Sequence, residues 1–399
     1  MTQFWAIARN TFLQSIRQPV YGIIVLITLG GIAMTPSITG WTLDDDNKML
    51  RDIGLSTLLI QGLFLACFVA PGILDAEIED RTMLTVVAKP IRRSVFILGK
   101  YAGLFGALLT AHYLACIGLL MAVRHGVLQN AAEKSDVSVV ILGPGVVLLL
   151  MLLAGILNYT LEWRFLPTIV TLAIPAFTLS GIVLLVMNRD FKLASYETVQ
   201  IIGPLPEDAA QPGALKDIIF FRPDPGNVAG TGNEGALVRS NWKGPISDAD
   251  RMYLLGLVDH VQWRKNINYL VQESRKVVSF EIVKAAVLIV GAIGILGSVA
   301  LASATRLSVV PTFLINFLVI MAGLASDQMI KPLAEVGKRW AAYAYHIIPN
   351  FQLFWMVDAL EENRRIPLDY IASSLGYAAM LSVAFLLLAM ALFETREVG

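Results

Sequence analysis

The sequence is poor in charged residues and in cysteine, and it carries no net charge. Asp, Glu, Lys and Arg make up only 16% of the 399 residues, whereas 56% are hydrophobic and the mean hydropathy is +0.65. A soluble core of this length cannot hide so much apolar surface, so the excess is expected to face lipid. The 31 basic side chains balance 31 acidic ones, and no basic field indicates a nucleic-acid partner.

Motifs for metal binding and catalysis are absent. The two cysteines, Cys67 and Cys116, lie in apolar runs without a CxxC neighbour, and the four histidines have no i, i+4 pair. No GxxxxGK[ST] loop, Gly-x-Ser-x-Gly or His-Glu-x-x-His occurs; the glycine-rich stretch 226–235 lacks the Lys-Ser/Thr ending. We therefore expect no metal, no cofactor and no enzyme activity, and any ATP that the protein uses must bind to another chain.

Eight long runs free of Lys, Arg, Asp and Glu predict an all-α polytopic membrane protein. A helix of roughly 20 residues satisfies its own backbone polar groups across ~30 Å of hydrocarbon. The runs are residues 20–43, 53–74, 101–123, 137–161, 165–188, 285–305, 307–326 and 370–393. Only Arg306 separates the sixth run from the seventh, so a tight hairpin is required there.

Composition divides the chain further. Residues 1–19 show helical amphipathic spacing and end at Pro19, which predicts an interfacial helix before transmembrane helices one to five in residues 20–188. Residues 189–284 regain charge, Pro and Gly and predict a small soluble α+β insert, with strands near 196–202, 218–222 and 236–240. Residues 285–399 hold the last three spans and a re-entrant or interfacial segment at 327–369. Span parity places the insert on the opposite side from both termini.

The segment between the second and third spans carries the most specific pattern. Residues 75–100 read DAEIEDRTMLTVVAKPIRRSVFILGK: an acidic opening, a Thr, an apolar stretch, Pro-Ile-Arg-Arg and Gly-Lys. This order resembles the permeases of type-2 ABC exporters, and in particular the class associated with gliding machinery and with maturation of copper enzymes. The resemblance implies that Glu79 to Thr82 belong to a short coupling helix that sits in a groove of a separate ATPase subunit.

The residue types suit that role. Carboxylates near a helix start are favoured by the helix dipole and can pair with arginines of a partner, and the following apolar side chains can dock. The expected ATPase-coupling residues are Glu77, Glu79, Asp80, Arg81, Thr82, Met83 and Leu84. Arg92, Arg93 and Lys100 are expected at the level of the lipid headgroups.

A second likeness lies towards the carboxyl end. Residues 346–354 read HIIPNFQLF, and the last span closes in FETRE at 393–397, which resembles the ending of the same family. The resemblance covers residues 1–123 and 285–399 and implies a dimer of permeases, either homodimer or heterodimer, in the cell inner (cytoplasmic) membrane. The extra span pair and the insert depart from the family's six-span pattern, which leaves the substrate undetermined.

Two other interpretations stay open. The same ATP-driven assembly could transmit force to an extracytoplasmic protein partner through the insert, without transported cargo. Deleting the insert separates these interpretations, because loss of partner binding with intact ATP turnover favours force transmission. An integral membrane enzyme or ion-coupled carrier would instead need clustered polar groups at mid-membrane, where the spans offer little beyond Gln61, His112 and Asn316.

Overall fold

The computed structural model describes residues 2–40, 46–79, 92–127, 135–187, 191, 261–357, 360 and 366–394. Most of these residues are helical, and no strand is formed among them. In chain order the helices are α1 (Thr2–Arg17), α2 (Pro19–Thr39), α3 (Asp46–Glu79), α4 (Arg93–His125), α5 (Val137–Leu161), α6 (Phe165–Val186), α7 (Val261–Ala304), α8 (Val309–Glu335), α9 (Arg339–Ile347) and α10 (Leu368–Glu394).

Two helices change their hydrogen-bonding pattern close to a proline. A π-helical turn, Ile141–Gly145, surrounds Pro144 inside α5, and a second one, Ser326–Ile330, precedes Pro332 inside α8. Proline removes a backbone donor and its ring clashes with the preceding turn, so the helix widens there instead of ending. A 3-10 turn, Phe351–Phe354, stands between α9 and α10.

Eight of the described helices are long and apolar enough to cross a membrane. They are α2 to α6, α8, α10 and the portion Phe280–Ala304 of α7, and each coincides with one of the eight charge-free runs. The prediction of an all-α, multi-pass membrane protein is thereby confirmed.

The chain divides into two compact units. One comprises Met1–Leu185 with Ile282–Gly399, and the other comprises Val186–Glu281. The α+β character expected for residues 189–284 is not shown: the predicted strands lie outside the described residues, and residues 261–284 belong to the continuous helix α7. The charge-free run predicts the sixth span from residue 285, but α7 begins 24 residues earlier, at Val261.

The centre of the first unit is formed by α3, α4 and α7 from Ile282 onward. Their inward side chains are aliphatic or small and almost fully buried; they include Leu65, Ala66, Ile97, Leu104, Ile289 and Leu296. The surrounding helices α2, α5, α6, α8 and α10 each expose large apolar side chains on one side, such as Ile27, Leu152 and Leu318. Exposed apolar stripes on the outside of a helical bundle are the expected contact with lipid tails.

Glycines allow the central helices to approach closely. A Cβ at Gly291 would lie 2.8 Å from the Phe354 ring, and one at Gly297 would lie 3.2 Å from Leu108. Gly291, Gly294 and Gly297 together pack α7 against α4, α10 and the 3-10 turn. Small residues have this role in lipid because dispersion contacts require close backbones.

Contacts at the helix ends define two ends of this unit. At the end we call proximal, Arg93 at the start of α4 and Arg306 between α7 and α8 both contact the last turn of α10. At the opposite, distal end, Arg124 near the end of α4 donates hydrogen bonds to Asp136, which precedes α5, and to the carbonyl of Leu184 near the end of α6.

Candidate functional site

The expected coupling residues divide between the end of α3 and the segment that follows it. Glu77 and Glu79 lie in the last turn of α3, whereas Asp80, Arg81, Thr82, Met83 and Leu84 lie outside the described residues. Residues 75–79, the part of the acidic opening that the structure describes, thus continue the helix of the second span.

Both helices that flank this segment extend beyond their apolar runs. The helix α3 has 34 residues and α4 has 33 residues. At 1.5 Å per residue each is about 50 Å long, whereas the hydrocarbon layer is ~30 Å thick. Five helical residues, 75–79, follow the charge-free run of α3, and eight, 93–100, precede that of α4. Residues 80–92 therefore join two helical extensions.

The start of α4, which follows this segment, contacts the end of the last span, α10. Arg93 Nη1 donates to the carbonyl oxygen of Glu394 over 2.9 Å, and the Phe96 ring stacks on Phe393 with centroids 5.5 Å apart. Arg306 Nε donates to the carbonyl of Leu392 over 3.1 Å. Guanidinium groups at a helix C-terminus satisfy unpaired carbonyls and match the negative end of the dipole. The start of α4, the α7–α8 turn and the end of α10 are thereby joined.

The three basic residues after the segment differ in position. Arg92 and Arg93 are exposed, as the expectation of a headgroup location requires. Lys100 is instead 1% exposed, and its Nζ lies 5.5 Å from the centroid of the Phe96 ring. Neighbouring helices and the aromatic ring enclose this side chain. The expected level of all three residues at the lipid headgroups stays a prediction.

Helix α1 braces the first half of α4. A Cβ at Gly99 would lie 2.8 Å from Ile7, and one at Gly103 would lie 2.5 Å from Cβ of Thr11. The buried face of α1 is formed by Ala8, Thr11, Ser15 and Ile16, of which the first three are small, while Trp5 is 67% exposed. The small residues of α1 thus lie on its packed side, and the tryptophan stays outside.

The Pro-Asn-Phe element near the carboxyl end meets an aspartate of α8. Asp327 accepts hydrogen bonds from the Tyr345 hydroxyl at 2.8 Å and from Asn350 Nδ2 at 3.1 Å. The backbone N–H of Asn350 donates to the Tyr377 hydroxyl of α10 at 3.0 Å. The hydrogen bond to Asp327, with partial burial and the negative charge, raises the pKa of Tyr345, which therefore stays a neutral donor.

This network holds an inserted loop at the distal end. Phe351 is 1% exposed and fits against Gly323 of α8, where a side chain would clash with it; Phe354 is 2% exposed and fits against Gly291. Sequence reasoning noted the Pro-Asn-Phe element but missed Asp327. The available signal was that Asp327 is the first charged residue after the charge-free run 307–326.

The polar residues within the spans do not form a joint site. Gln61 Nε2 donates to the carbonyl of Ala111 at 3.4 Å, and His112 Nε2 lies 3.0 Å from the carbonyl oxygen of Ala286 and donates to it. Asn316 Nδ2 donates within its own helix. No hydrogen bond joins any two of Gln61, His112 and Asn316, although each keeps one buried atom without a partner in the described part of the chain.

The described residues offer no set of ligands for a metal ion. No group of three or more His, Cys, Asp or Glu side chains is close enough to hold an ion among the described residues. Both cysteines are free thiols.

Comparison with known proteins adds no relative. No protein-family model matches the chain, and no curated protein or solved structure is significantly similar to it.

Proposed function

We propose that this multi-pass protein is the membrane-spanning subunit of an ATP-driven transporter, and that a separate ATPase acts on residues 77–84. The order of residue types in 75–100 supports the proposal, as do the helical extensions on either side of residues 80–92. The chain has no phosphate-binding loop, so ATP is hydrolysed on the partner. Two permease chains, identical or different, complete the transporter in the cytoplasmic membrane.

One contact explains how a push on this segment could reach the spans. Arg93 directly follows the segment. Its side chain donates a hydrogen bond to the last carbonyl of α10, 301 positions away. A rigid displacement of residues 80–92 would move α4 directly and α10 through this contact. Stiff helices that move as bodies are a common means of switching between states.

A photo-cross-linking amino acid tests the docking site. Placed at Thr82, it is expected to capture a protein with ATPase activity from native membranes. Placed at Val336, which is 79% exposed near the other end of the fold, it is expected to capture none. Equal capture at both positions, or no ATPase at either one, contradicts the proposal.

Charge reversal gives a matched test of association. Glu79→Lys is expected to abolish co-purification of the ATPase and the ATP turnover of the purified complex, because it reverses a charge at the docking site. Glu335→Lys makes the same change at an exposed residue of α8 outside this segment and is expected to alter neither. Unchanged association and turnover with Glu79→Lys would rule out the coupling role.

The Arg93 contact is tested separately with a nitroxide label at Leu388, a half-exposed residue of α10. ATP added to the complex is expected to change the mobility of the label in the wild type and in Arg92→Ala. In Arg93→Ala the ATPase is expected to bind while the label no longer responds. A response in Arg93→Ala equal to that in Arg92→Ala shows that this contact does not transmit the movement.

A further inference from the structure

Helix α9 presents an aromatic and aliphatic face that no described residue covers. Trp340 is 59% exposed, Tyr343 71% and Ile347 76%. Their spacing of three and four residues places all three within about 60° of one another around the helix. The opposite side of α9 packs inward: Ala341 is fully buried, and Tyr345 donates its hydroxyl hydrogen bond to Asp327.

The tether to Asp327 fixes the depth of this helix. Asp327 is the first charged residue after the charge-free run of α8, so it marks the end of the segment that suits hydrocarbon. The Tyr345–Asp327 hydrogen bond, 2.8 Å long, holds the last turn of α9 at that level. Gly337, with φ of +88°, reverses the chain between α8 and α9, a conformation that L side chains rarely adopt. The helix is therefore folded back at the edge of the apolar layer.

Basic side chains accompany the apolar face. Lys331, Lys338 and Arg339 are exposed. Glu335 is the only exposed acidic residue between Asp327 and Ile347. Trp and Tyr are enriched where hydrocarbon meets headgroups, and Lys or Arg beside them attract anionic lipid. Met329 of α8 is 67% exposed, and α8 exposes further large apolar side chains, including Leu314 and Leu318.

We propose that α9 is a binding surface for anionic phospholipid in the distal leaflet. Trp340, Tyr343 and Ile347 insert among the upper acyl chains, and Lys338 and Arg339 pair with the phosphates of the headgroups. Membrane contact on one side of α9 and the Asp327 network on the other then hold the inserted loop at Phe351 in place. This inference is independent of any ATPase partner.

Depth measurements on the full chain in vesicles test the insertion. A nitroxide on Tyr343→Cys, with Cys67 and Cys116 replaced by Ala, is compared with one on Glu335→Cys. At position 343 the label is expected to collide more with lipid-dissolved oxygen than with a water-soluble nickel complex, and at position 335 the order is expected to reverse. The preference at 343 is expected to be stronger in vesicles of phosphatidylcholine with phosphatidylglycerol than in phosphatidylcholine alone.

Charge removal tests the lipid class. Lys338→Gln and Arg339→Gln are each expected to lower the relative association constant of spin-labelled phosphatidylglycerol by up to roughly fivefold, and high salt is expected to reduce the wild-type value. Two results overturn the proposal. A label at 343 that collides mainly with the nickel complex in both vesicle types shows a surface that faces water. A label protected from both reagents shows that a second copy or another protein covers α9.

Discussion

The seam between α1 and α4 gives the sharpest test of the packing. A methyl group at Gly103 would lie 2.5 Å from Cβ of Thr11 and 2.9 Å from the amide nitrogen of Phe12, and closer still to the carbonyl of Ala8. Backbone atoms cannot rotate away, so Gly103→Ala must displace α1 as a whole. Overpacking of this kind costs about 3 kcal/mol at the upper end of its usual range. Helix propensity returns about 1 kcal/mol of that cost.

The expected net loss for Gly103→Ala is therefore about 2 kcal/mol in the free energy of unfolding. Gly30→Ala on α2 is the matched control, because nothing lies within 4 Å of its added methyl group. The control is expected to gain up to about 1 kcal/mol. Reversible unfolding by denaturing detergent in mixed micelles, followed by circular dichroism, measures both variants. Equal free energies of unfolding for the two variants would contradict the close packing of α1 against α4.

Three further predictions concern the distal end. Arg124→Ala leaves the fully buried carboxylate of Asp136 without its cation. It is expected to lower the free energy of unfolding by about 2 kcal/mol. An unchanged unfolding midpoint would contradict this. Asp327→Ala removes the acceptor of two side chains and is expected to cost about 2 kcal/mol. Asp327→Asn retains an acceptor and is expected to recover part of that loss; equal losses would exclude the hydrogen bonds as the cause. The raised pKa of Tyr345 means that the unfolded chain loses its proton first as pH rises. The stability advantage of the wild type over Tyr345→Phe is thus expected to be constant below pH about 10 and to fall above it, and parallel pH profiles would contradict this.

The sequence predicted only part of the structure around helix α9, the proposed lipid-binding surface. The segment 327–369 was expected to hold short interfacial or re-entrant helices, and the structure places α9 and a 3-10 turn there. The sequence did not indicate that Tyr345 and Asn350 would meet one carboxylate. The order of residues along the chain does not specify which side chains of a folded-back segment face the same neighbour.

The eight spans were determined by the sequence itself. In lipid each backbone amide and carbonyl must be satisfied inside its own helix, so an apolar run of sufficient length is a local requirement that can be read directly. The docking role of residues 77–84 stays a prediction, because most of these residues lie outside the described part of the chain.

Tertiary structure alone decided the contacts between spans. The bond from Arg93 to Glu394, the enclosure of Lys100 and the meeting of Asp327 with Asn350 depend on which helices are neighbours and how they are rotated. Apolar runs fit lipid equally well in any order and rotation, so hydropathy carries no information on neighbours. Small residues and a few polar groups select one arrangement, and their partners become visible only when the helices have packed.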